Sequence, residues 1–319
     1  MLTAVLLFCL GLILLIKGGD WFVDGSVGVA HRFGVPELII GATVVSIGTT
    51  LPEVMVSATS ALQGHGEIAY GNAIGSIICN TALIAALTVA IKPSKVDRKS
   101  LLSPVLFFFA AAAYYLFNAY VLGGFSRVAG VILVLVFVLY MIFTINQGRK
   151  KTSPTTESSE EVKPLGKSLL FLAVGAVFIA LGANLLVDNG ILIAQGLGVP
   201  ESVIALTFVA LGTSLPELVT AVTSLLKGHS ALSLGNIIGA NLFNLVLVSG
   251  VSVLLSPFSL PESKTIAGIN ASLVLDMPVM IAVMCLLTLP ALLKGKLSRW
   301  QGITLLCVYA AFCVLQFVL

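Results

Sequence analysis

Long apolar runs recur along the whole 319-residue chain and restrict what it can fold into. About 58% of the residues are apolar and only 10% are charged, whereas a soluble domain carries about 25% charged residues. A helix needs about 20 mostly apolar residues to cross the hydrocarbon core of a bilayer, where its backbone groups must pair internally. The pattern predicts an all-α integral membrane protein with about ten transmembrane helices, near residues 2–22, 37–62, 68–91, 101–122, 127–146, 167–188, 201–226, 231–255, 268–293 and 300–318.

The basic residues indicate how these helices are oriented. Cytoplasmic loops are enriched in Lys and Arg. In a ten-helix arrangement Lys17 lies within the first helix, and only Arg127 and Lys264 fall on one side of the membrane. All other Lys and Arg residues fall on the opposite side. This distribution predicts both termini outside the plasma (inner) membrane of a bacterium or archaeon. Met1 leads directly into an apolar run without a basic segment or cleavage site, so we interpret that run as a membrane span and not as a signal peptide.

An internal repeat divides the chain. A shift of 164 positions aligns residues 41–80 with residues 205–244 without a gap, and 17 of the 40 positions are identical. An odd number of helices in each half turns the second copy upside down in the membrane, as in transporters with inverted repeats. We therefore expect two inverted five-helix halves, 1–146 and 166–319, joined by a polar cytoplasmic linker at 147–165.

The first repeated motif places an acid within an apolar span in each half. It reads Gly-Thr-Thr-Leu-Pro-Glu, ending at Glu53, and Gly-Thr-Ser-Leu-Pro-Glu, ending at Glu217. A charge at mid-bilayer costs at least about 2.5–3.5 kcal/mol, so a functional role is the first hypothesis. Gly and Pro beside the acid predict helices broken at the midplane, with carbonyls free to bind cations. Oxygen ligands of this kind suit Ca2+ and Na+ better than Zn2+ or Cu+.

The second motif supplies amides. It reads Gly-Asn-Ala-Ile-Gly-Ser-Ile-Ile-Cys-Asn, ending at Asn80, and Gly-Asn-Ile-Ile-Gly-Ala-Asn-Leu-Phe-Asn, ending at Asn244. Gly75 and Gly239 permit further interruptions of the helices. For Asn72 and Asn236, at the predicted helix starts, capping is an alternative to a role in the site. Helix–helix packing explains the small residues of both motifs, but it leaves the two intramembrane glutamates unexplained.

These paired motifs resemble the two alpha-repeats of the Na+/Ca2+ exchanger family, within the Ca2+/cation antiporter superfamily. The resemblance implies an ion site formed by four acidic or amide side chains from the two halves, with hydroxyls around them and two backbone carbonyls. Carried onto this sequence, the side chains are Glu53, Asn80, Glu217 and Asn244, the hydroxyls belong to Thr49, Thr50, Ser76, Thr213 and Ser214, and the carbonyls belong to Ser46 and Ala210.

The resemblance further implies antiport of Na+ against Ca2+, in which the first helix of each half slides over the rest. Asn244 stands where K+-dependent relatives carry Asp, which favours K+-independent exchange. Ala240 replaces the usual Ser of the family, so the expected ratio of three Na+ to one Ca2+ stays open. Ca2+, Na+ and membrane lipid are the expected partners. The sequence indicates no cofactor, nucleic acid or obligate protein partner.

Two other functions are compatible with a buried glutamate pair. A Ca2+/H+ antiporter could carry protons on the glutamates, although proton-coupled relatives typically have Gly-Asn-x-x-Glu around the acid. A passive cation channel would need a continuous pore, which inverted repeats do not favour. An enzyme is not expected, because the spans contain no nucleophile–base constellation.

The remaining ionisable residues fit local roles. We expect Lys17, Asp20 and Asp24 to pair along one helix face or snorkel to its end, with gating as the alternative for Asp24 and its repeat equivalent Asp188. Asp276 has no evident partner in the sequence. His65 and His229 match across the repeat and are expected to be solvated, with pH sensing as the alternative. The five cysteines have no metal-type spacing and are expected to serve packing.

Overall fold

The computed structural model describes residues 2–150, 164–196, 214–261, 265–266 and 268–318. Ten helices follow one another in the described part of the chain, in the order of the ten predicted spans. We label them α1 to α10: Leu2–Phe33, Glu37–Leu62, Gly66–Ile91, Arg98–Val121, Arg127–Lys150, Leu165–Gly196, Leu215–Leu226, Ser230–Leu255, Ser272–Lys294 and Arg299–Val318.

The predicted all-α membrane architecture is confirmed. Eight of the described helices are long and apolar enough to cross a membrane. The described part of α7 is shorter, and residues 201–213 of its predicted span lie outside the described residues. The first helix of each half is longer than predicted, because α1 and α6 each have 32 residues. Two short antiparallel strand pairs, Gly124–Phe125 (β1) with Phe258–Ser259 (β2) and Thr265–Ile266 (β3) with Ile269–Asn270 (β4), lie in the connections.

The long helices α1 and α6 cross each other at glycines. A Cβ on Gly11 would lie 2.9 Å from the Gly182 carbonyl oxygen, and one on Gly18 would lie 3.0 Å from the Gly175 carbonyl oxygen. The repeat shift of 164 positions aligns Gly11 with Gly175 and Gly18 with Gly182. The Gly11–Gly182 contact therefore corresponds to the Gly18–Gly175 contact, as expected for a pseudo-two-fold axis. Glycine allows two membrane helices to approach this closely because no side chain separates the backbones.

A second close approach joins the two halves behind the crossing pair. The start of α2 packs directly on α8, where a Cβ on Gly41 would lie 2.8 Å from the Asn236 nitrogen. A Cβ on Gly239 would lie 2.6 Å from the Cα of Ala42. Gly239 of the second motif and Gly41, which precedes the first motif, therefore serve close helix packing between the two halves.

The crossing glycines give a stability prediction. Gly175→Ala should lower the free energy of unfolding by about 1–3 kcal/mol, because overpacking forces the backbones apart, and the new Cβ would lie 2.5 Å from the Phe22 nitrogen. Gly166→Ala is the matched control, since a Cβ on that residue of the same helix meets nothing within 4 Å. Thermal unfolding in detergent measures both, and equal stability of the two variants would contradict the close crossing.

Candidate ion-binding site

The helix that carries Glu53 widens before it reaches the motif. Residues Gly41–Val45 form a π-helical turn, and the Ser46 N–H donates to the Gly41 carbonyl five residues back. The Tyr140 hydroxyl donates to the Ala42 carbonyl at 3.0 Å, which an α-helix would have paired with Ser46. From Ser46 to Leu62 the helix is regular, with Pro52 inside it. The predicted interruption is thus a wide turn upstream of the Gly-Pro motif and not a break within it.

The helices that carry the amides widen in the same way. Asn80 begins a π-helical turn, Asn80–Ala85, within α3, and Asn244 begins a corresponding turn, Asn244–Val248, within α8. The interruptions therefore follow the second motif, whereas the sequence had suggested its central glycines. π-turns inside α-helices occur frequently at functional sites, and here each begins at a predicted site residue.

The two halves exchange partners at these positions. The Asn80 turn packs against α7, which carries Glu217, and the Asn244 turn packs against α2, which carries Glu53. The carboxyl groups of Glu53 and Glu217 are close enough to interact electrostatically. The two glutamates therefore interact, and the turns that begin at Asn80 and Asn244 each pack against the helix that carries the glutamate of the opposite half.

All four side chains are buried and have no hydrogen-bond partner in the described part of the chain. Glu53, Asn80, Glu217 and Asn244 are at most 1% exposed. Both carboxylate oxygens of each Glu, and the oxygen and nitrogen of each Asn amide, have no partner among the described residues. Buried polar groups in proteins are nearly always paired, and an unpaired buried charge costs several kcal/mol. Eight such atoms at one place indicate a site built for a ligand.

The predicted hydroxyls surround this cluster to different degrees. Thr50 is 1% exposed and its hydroxyl is also without a partner in the described part of the chain. Ser76 and Ser214 are buried. Thr49 lies beside the Glu217 carboxyl. Thr213 and Ala210 lie outside the described residues.

The chemistry of this cluster suits hard cations. Two carboxylates of like charge in one buried place repel each other unless protons or cations neutralise them. The available ligand atoms are carboxylate, amide and hydroxyl oxygens, which Ca2+ and Na+ prefer. The site can therefore bind one divalent cation, or several monovalent cations, at its two carboxylates.

Asn236 is a site residue whose role the sequence did not reveal. It lies six residues into α8, which begins after His229, and its Oδ1 accepts hydrogen bonds of 3.3 Å from both Ser46 and Thr49. Its Nδ2 donates to the Thr220 hydroxyl at 2.9 Å. Asn236 thus fixes two predicted ligand residues of the opposite half. Capping is wrong for this residue, because it lies inside the helix and the N-cap position is His229.

Asn72 has a different set of contacts from its repeat equivalent Asn236. Its Nδ2 donates to the Glu53 carbonyl at 3.2 Å and to the Ser57 hydroxyl at 2.8 Å. Both partners belong to its own half, and α3 begins at Gly66, so capping is wrong here too. The signal that could have identified both residues is their recurrence at the same position of the repeat.

Several other predicted roles change in the structure. Asp276 accepts a hydrogen bond from the Gln316 amide at 2.6 Å. Asp20 and Asp24 contact Lys227, the residue that follows α7, in place of the expected pairing along α1. His229 lies 2.8 Å from Glu37 and is not a solvated loop histidine, whereas His65 is exposed as expected. The five cysteines are unpaired.

A cavity lies beside α3, the helix that carries Asn80. It has a volume of about 350 Å3 and follows one face of α3 from Glu67 to Ile78, between α9 and α10. A Cβ on Gly71 or Gly75 meets nothing within 4 Å in the described part of the structure. Their repeat equivalents Gly235 and Gly239 are in close backbone contact with α2. The segment of the second half that corresponds to the start of α2, residues 201–210, lies outside the described residues, so this comparison covers only the described contacts.

Comparisons with known proteins agree with this architecture. The model of the family described as "Sodium/calcium exchanger protein" matches residues 3–146 and 167–318. The chain is 32% identical to the sodium/calcium exchanger MaX1 of Methanosarcina acetivorans, covering 98% of both chains. It is 33% identical to the inner membrane protein YrbG of Escherichia coli over 81% of both chains. A structure of the sodium-calcium exchanger NCX_Mj soaked with Na+ and Sr2+ matches with a TM-score of 0.82 and 35% identity, covering 97% of both chains.

The role of Asn236 gives a testable expectation. Asn236→Ala should weaken cation binding about tenfold, because the hydroxyls of Ser46, Thr49 and Thr220 lose a partner worth about 1 kcal/mol or more. The measurement is the rise in unfolding temperature on adding Ca2+. Asn118→Ala is the control: this buried Asn donates only to the Tyr114 carbonyl of its own helix among the described contacts. A Ca2+ response unchanged in Asn236→Ala would contradict the positioning role.

Proposed function

Because the chain belongs to the sodium/calcium exchanger family, we propose that it is a secondary active antiporter that exchanges Na+ for Ca2+ across the plasma membrane. The observation that carries the proposal is the buried cluster of Glu53, Asn80, Glu217 and Asn244, whose eight polar side-chain atoms have no partner among the described residues. Two members come from each inverted half, so one ion would contact both halves at once.

The full ligand set extends this cluster. We assign oxygen ligands to Thr49, Thr50, Ser76, Thr213 and Ser214, and to the carbonyls of Ser46 and Ala210. The hydroxyls favour Na+ as the counter-ion, because Na+ binds neutral oxygen ligands that a proton does not need. The ions are transported substrates, held only for part of the cycle.

Alternating access fits the inverted repeat. Inverted repeats can exchange conformations, so that each half in turn adopts the packing of the other. The start of α2 lies in close contact with α8, while a cavity runs along the corresponding part of α3. With the basic ends of the helices in the cytoplasm and both termini outside, the cavity faces outward and the cytoplasmic end is closed.

The charges of the site favour electrogenic exchange. Two ionised glutamates neutralise one Ca2+, whereas three Na+ leave a net charge of +1 in the loaded site. Moving one charge through the membrane potential is worth about 2.3 kcal/mol per 100 mV, so a negative interior would help drive Ca2+ out of the cell. Asn244, in place of an acid, removes the additional negative charge that a co-transported K+ would need.

The direct test is uptake of 45Ca2+ into proteoliposomes under an outward Na+ gradient. Glu53→Gln or Glu217→Gln should reduce uptake to the level of empty liposomes, because each removes one of the two buried carboxylates. Glu67→Gln is the control, since Glu67 is exposed at the far end of the cavity. Wild-type uptake that does not depend on the Na+ gradient would contradict the proposal.

Further arms of the same assay separate the alternatives. Uptake driven by a pH gradient without Na+ would identify a Ca2+/H+ antiporter. Uptake that needs no counter-ion gradient and does not saturate would identify a channel. A K+ diffusion potential tests whether exchange is electrogenic. The measurement must be repeated with a diffusion potential of another permeant cation, because K+ could also act as a transported substrate.

Ala240 gives a prediction about Na+ binding. Ala240→Ser should lower the Na+ concentration for half-maximal exchange up to about fivefold, because it adds a hydroxyl one turn before Asn244, worth about 1 kcal/mol. Ala112→Ser, at a buried residue of α4, is the matched control. An unchanged Na+ dependence in Ala240→Ser would show that this position is no Na+ ligand even when a hydroxyl is present.

A further inference from the structure

A three-residue turn connects α7 to α8 and carries two basic side chains. Gly228 adopts a left-handed conformation with φ of 88°, which allows the chain to reverse between Lys227 and His229. The backbone N–H of His229 donates to the Ser224 carbonyl at 2.7 Å, which fixes the turn. The two side chains therefore project from one rigid corner of the second half.

Both side chains contact acids of the first half. The Lys227 Nζ lies 2.7 Å from the Asp24 carboxylate and 3.4 Å from that of Asp20, and it donates to the Asp20 carbonyl at 2.9 Å. The His229 Nδ1 lies 2.8 Å from the Glu37 carboxylate. One corner thus holds α1 through Lys227 and the start of α2 through His229.

The position of these contacts gives them a mechanical role. Helix α1 packs mainly on α6 and reaches the rest of the molecule through α7 and the start of α2. Movement of the α1–α6 pair across the other helices would have to separate Lys227 from Asp20 and Asp24. Movement of the start of α2 away from α8 would have to separate Glu37 from His229.

The repeat provides the same turn at the opposite end of the molecule, with different side chains. Gln63, Gly64 and His65 are the equivalents, and Gly64 has nearly the same φ of 84°. Gln63 replaces the lysine, and the equivalent of Asp20 is Asn184. Gln63, His65 and Asn184 are all exposed. The lysine–aspartate contact therefore exists at one end only.

We propose that Lys227 and His229 form a latch that holds the cytoplasmic end of the transporter closed, by binding Asp20 and Asp24 on α1 and Glu37 on α2. The assignment to the cytoplasmic end rests on the proposed function and orientation. The latch makes the two access states unequal in energy, because it stabilises only the state in which the cytoplasmic end is closed. It favours the conformation in which the cavity along α3 is open.

Protonation of His229 sets the strength of one half of the latch. The hydrogen bond to Glu37 raises the pKa of His229 above its ordinary value; burial opposes the shift, the Glu37 and Asp24 charges add to it, and Lys227 again opposes it. The contact is at full strength below the ordinary histidine pKa of about 6.5 and weakens as the pH rises through the raised value. Acid on this side of the membrane therefore stabilises the closed cytoplasmic end.

Hydrogen–deuterium exchange of the purified full-length protein tests the latch without relying on transport. Lys227→Gln copies the side chain that the chain itself has at the equivalent Gln63. It should increase amide exchange of segments 34–40 and 227–232 about two- to fivefold, the range for ion pairs of this partial exposure. His65→Gln is the control and should leave both segments unchanged. Equal exchange in Lys227→Gln and the wild type would overturn the proposal.

The pH dependence separates His229 from other titrating groups. After correction for intrinsic exchange rates, the wild type should be better protected in segment 34–40 at pH 6 than at pH 8. His229→Gln keeps an amide that can donate to Glu37, so its protection should not depend on pH. A pH dependence that persists in His229→Gln would exclude His229 as its source. If the wild type shows no Na+-driven Ca2+ uptake, the proposed function fails while these exchange data still decide on the latch.

Discussion

The buried carboxylates of Glu53 and Glu217 are the constraint on which the rest of the structure depends. Two like charges buried together inside a membrane protein are tolerable only if protons or cations neutralise them. The π-turns at Asn80 and Asn244 bring two amides to the same place. The glycine contacts between α2 and α8 allow the motifs of opposite halves to meet. Each of these local features serves the assembly of one buried cluster of oxygen ligands.

The inverted repeat explains why the cluster can serve transport. Equivalent helices surround the site from both halves, so the same contacts can in principle form at either end of the molecule. In this structure α2 lies against α8, and a cavity follows α3. The side chains outside the site are not equivalent in the two halves, as Lys227 and its counterpart Gln63 show. Backbone symmetry thus allows two states, and surface charges set their relative stability.

Much of this architecture could be predicted from the sequence. Ten apolar runs predicted the helices, which the structure confirms. The gapless repeat predicted that Glu53, Asn80, Glu217 and Asn244 form one ion site, and their roles as ligands stay a prediction. The two acids stood out because an acid within an apolar span has few physical explanations. Thr213 and Ala210 stay predictions, since they lie outside the described residues.

Other features depend on contacts between the halves and could not be predicted. The acids that contact His229 and Lys227 lie 192 and 203 residues away in sequence. Spacing along α1 had instead predicted that Asp20 and Asp24 pair with Lys17. Asn236 was assigned to a helix end, whereas its partners Ser46 and Thr49 belong to the other half and are far away in sequence. The π-turns escaped prediction because Gly and Pro permit irregular backbone, whereas tertiary contacts such as that from Tyr140 to Ala42 determine where it occurs.

The central claim is that one cation binds between the carboxylates of both halves. The most direct measurement is anomalous diffraction from crystals of this protein soaked with Sr2+, a heavier analogue of Ca2+. We predict a single strong peak with oxygens of both Glu53 and Glu217 at about the distances of Ca2+ ligands, 2.3–2.6 Å or slightly longer. A peak elsewhere, or carboxylates that contact each other without an ion between them at saturating Sr2+, would contradict the account.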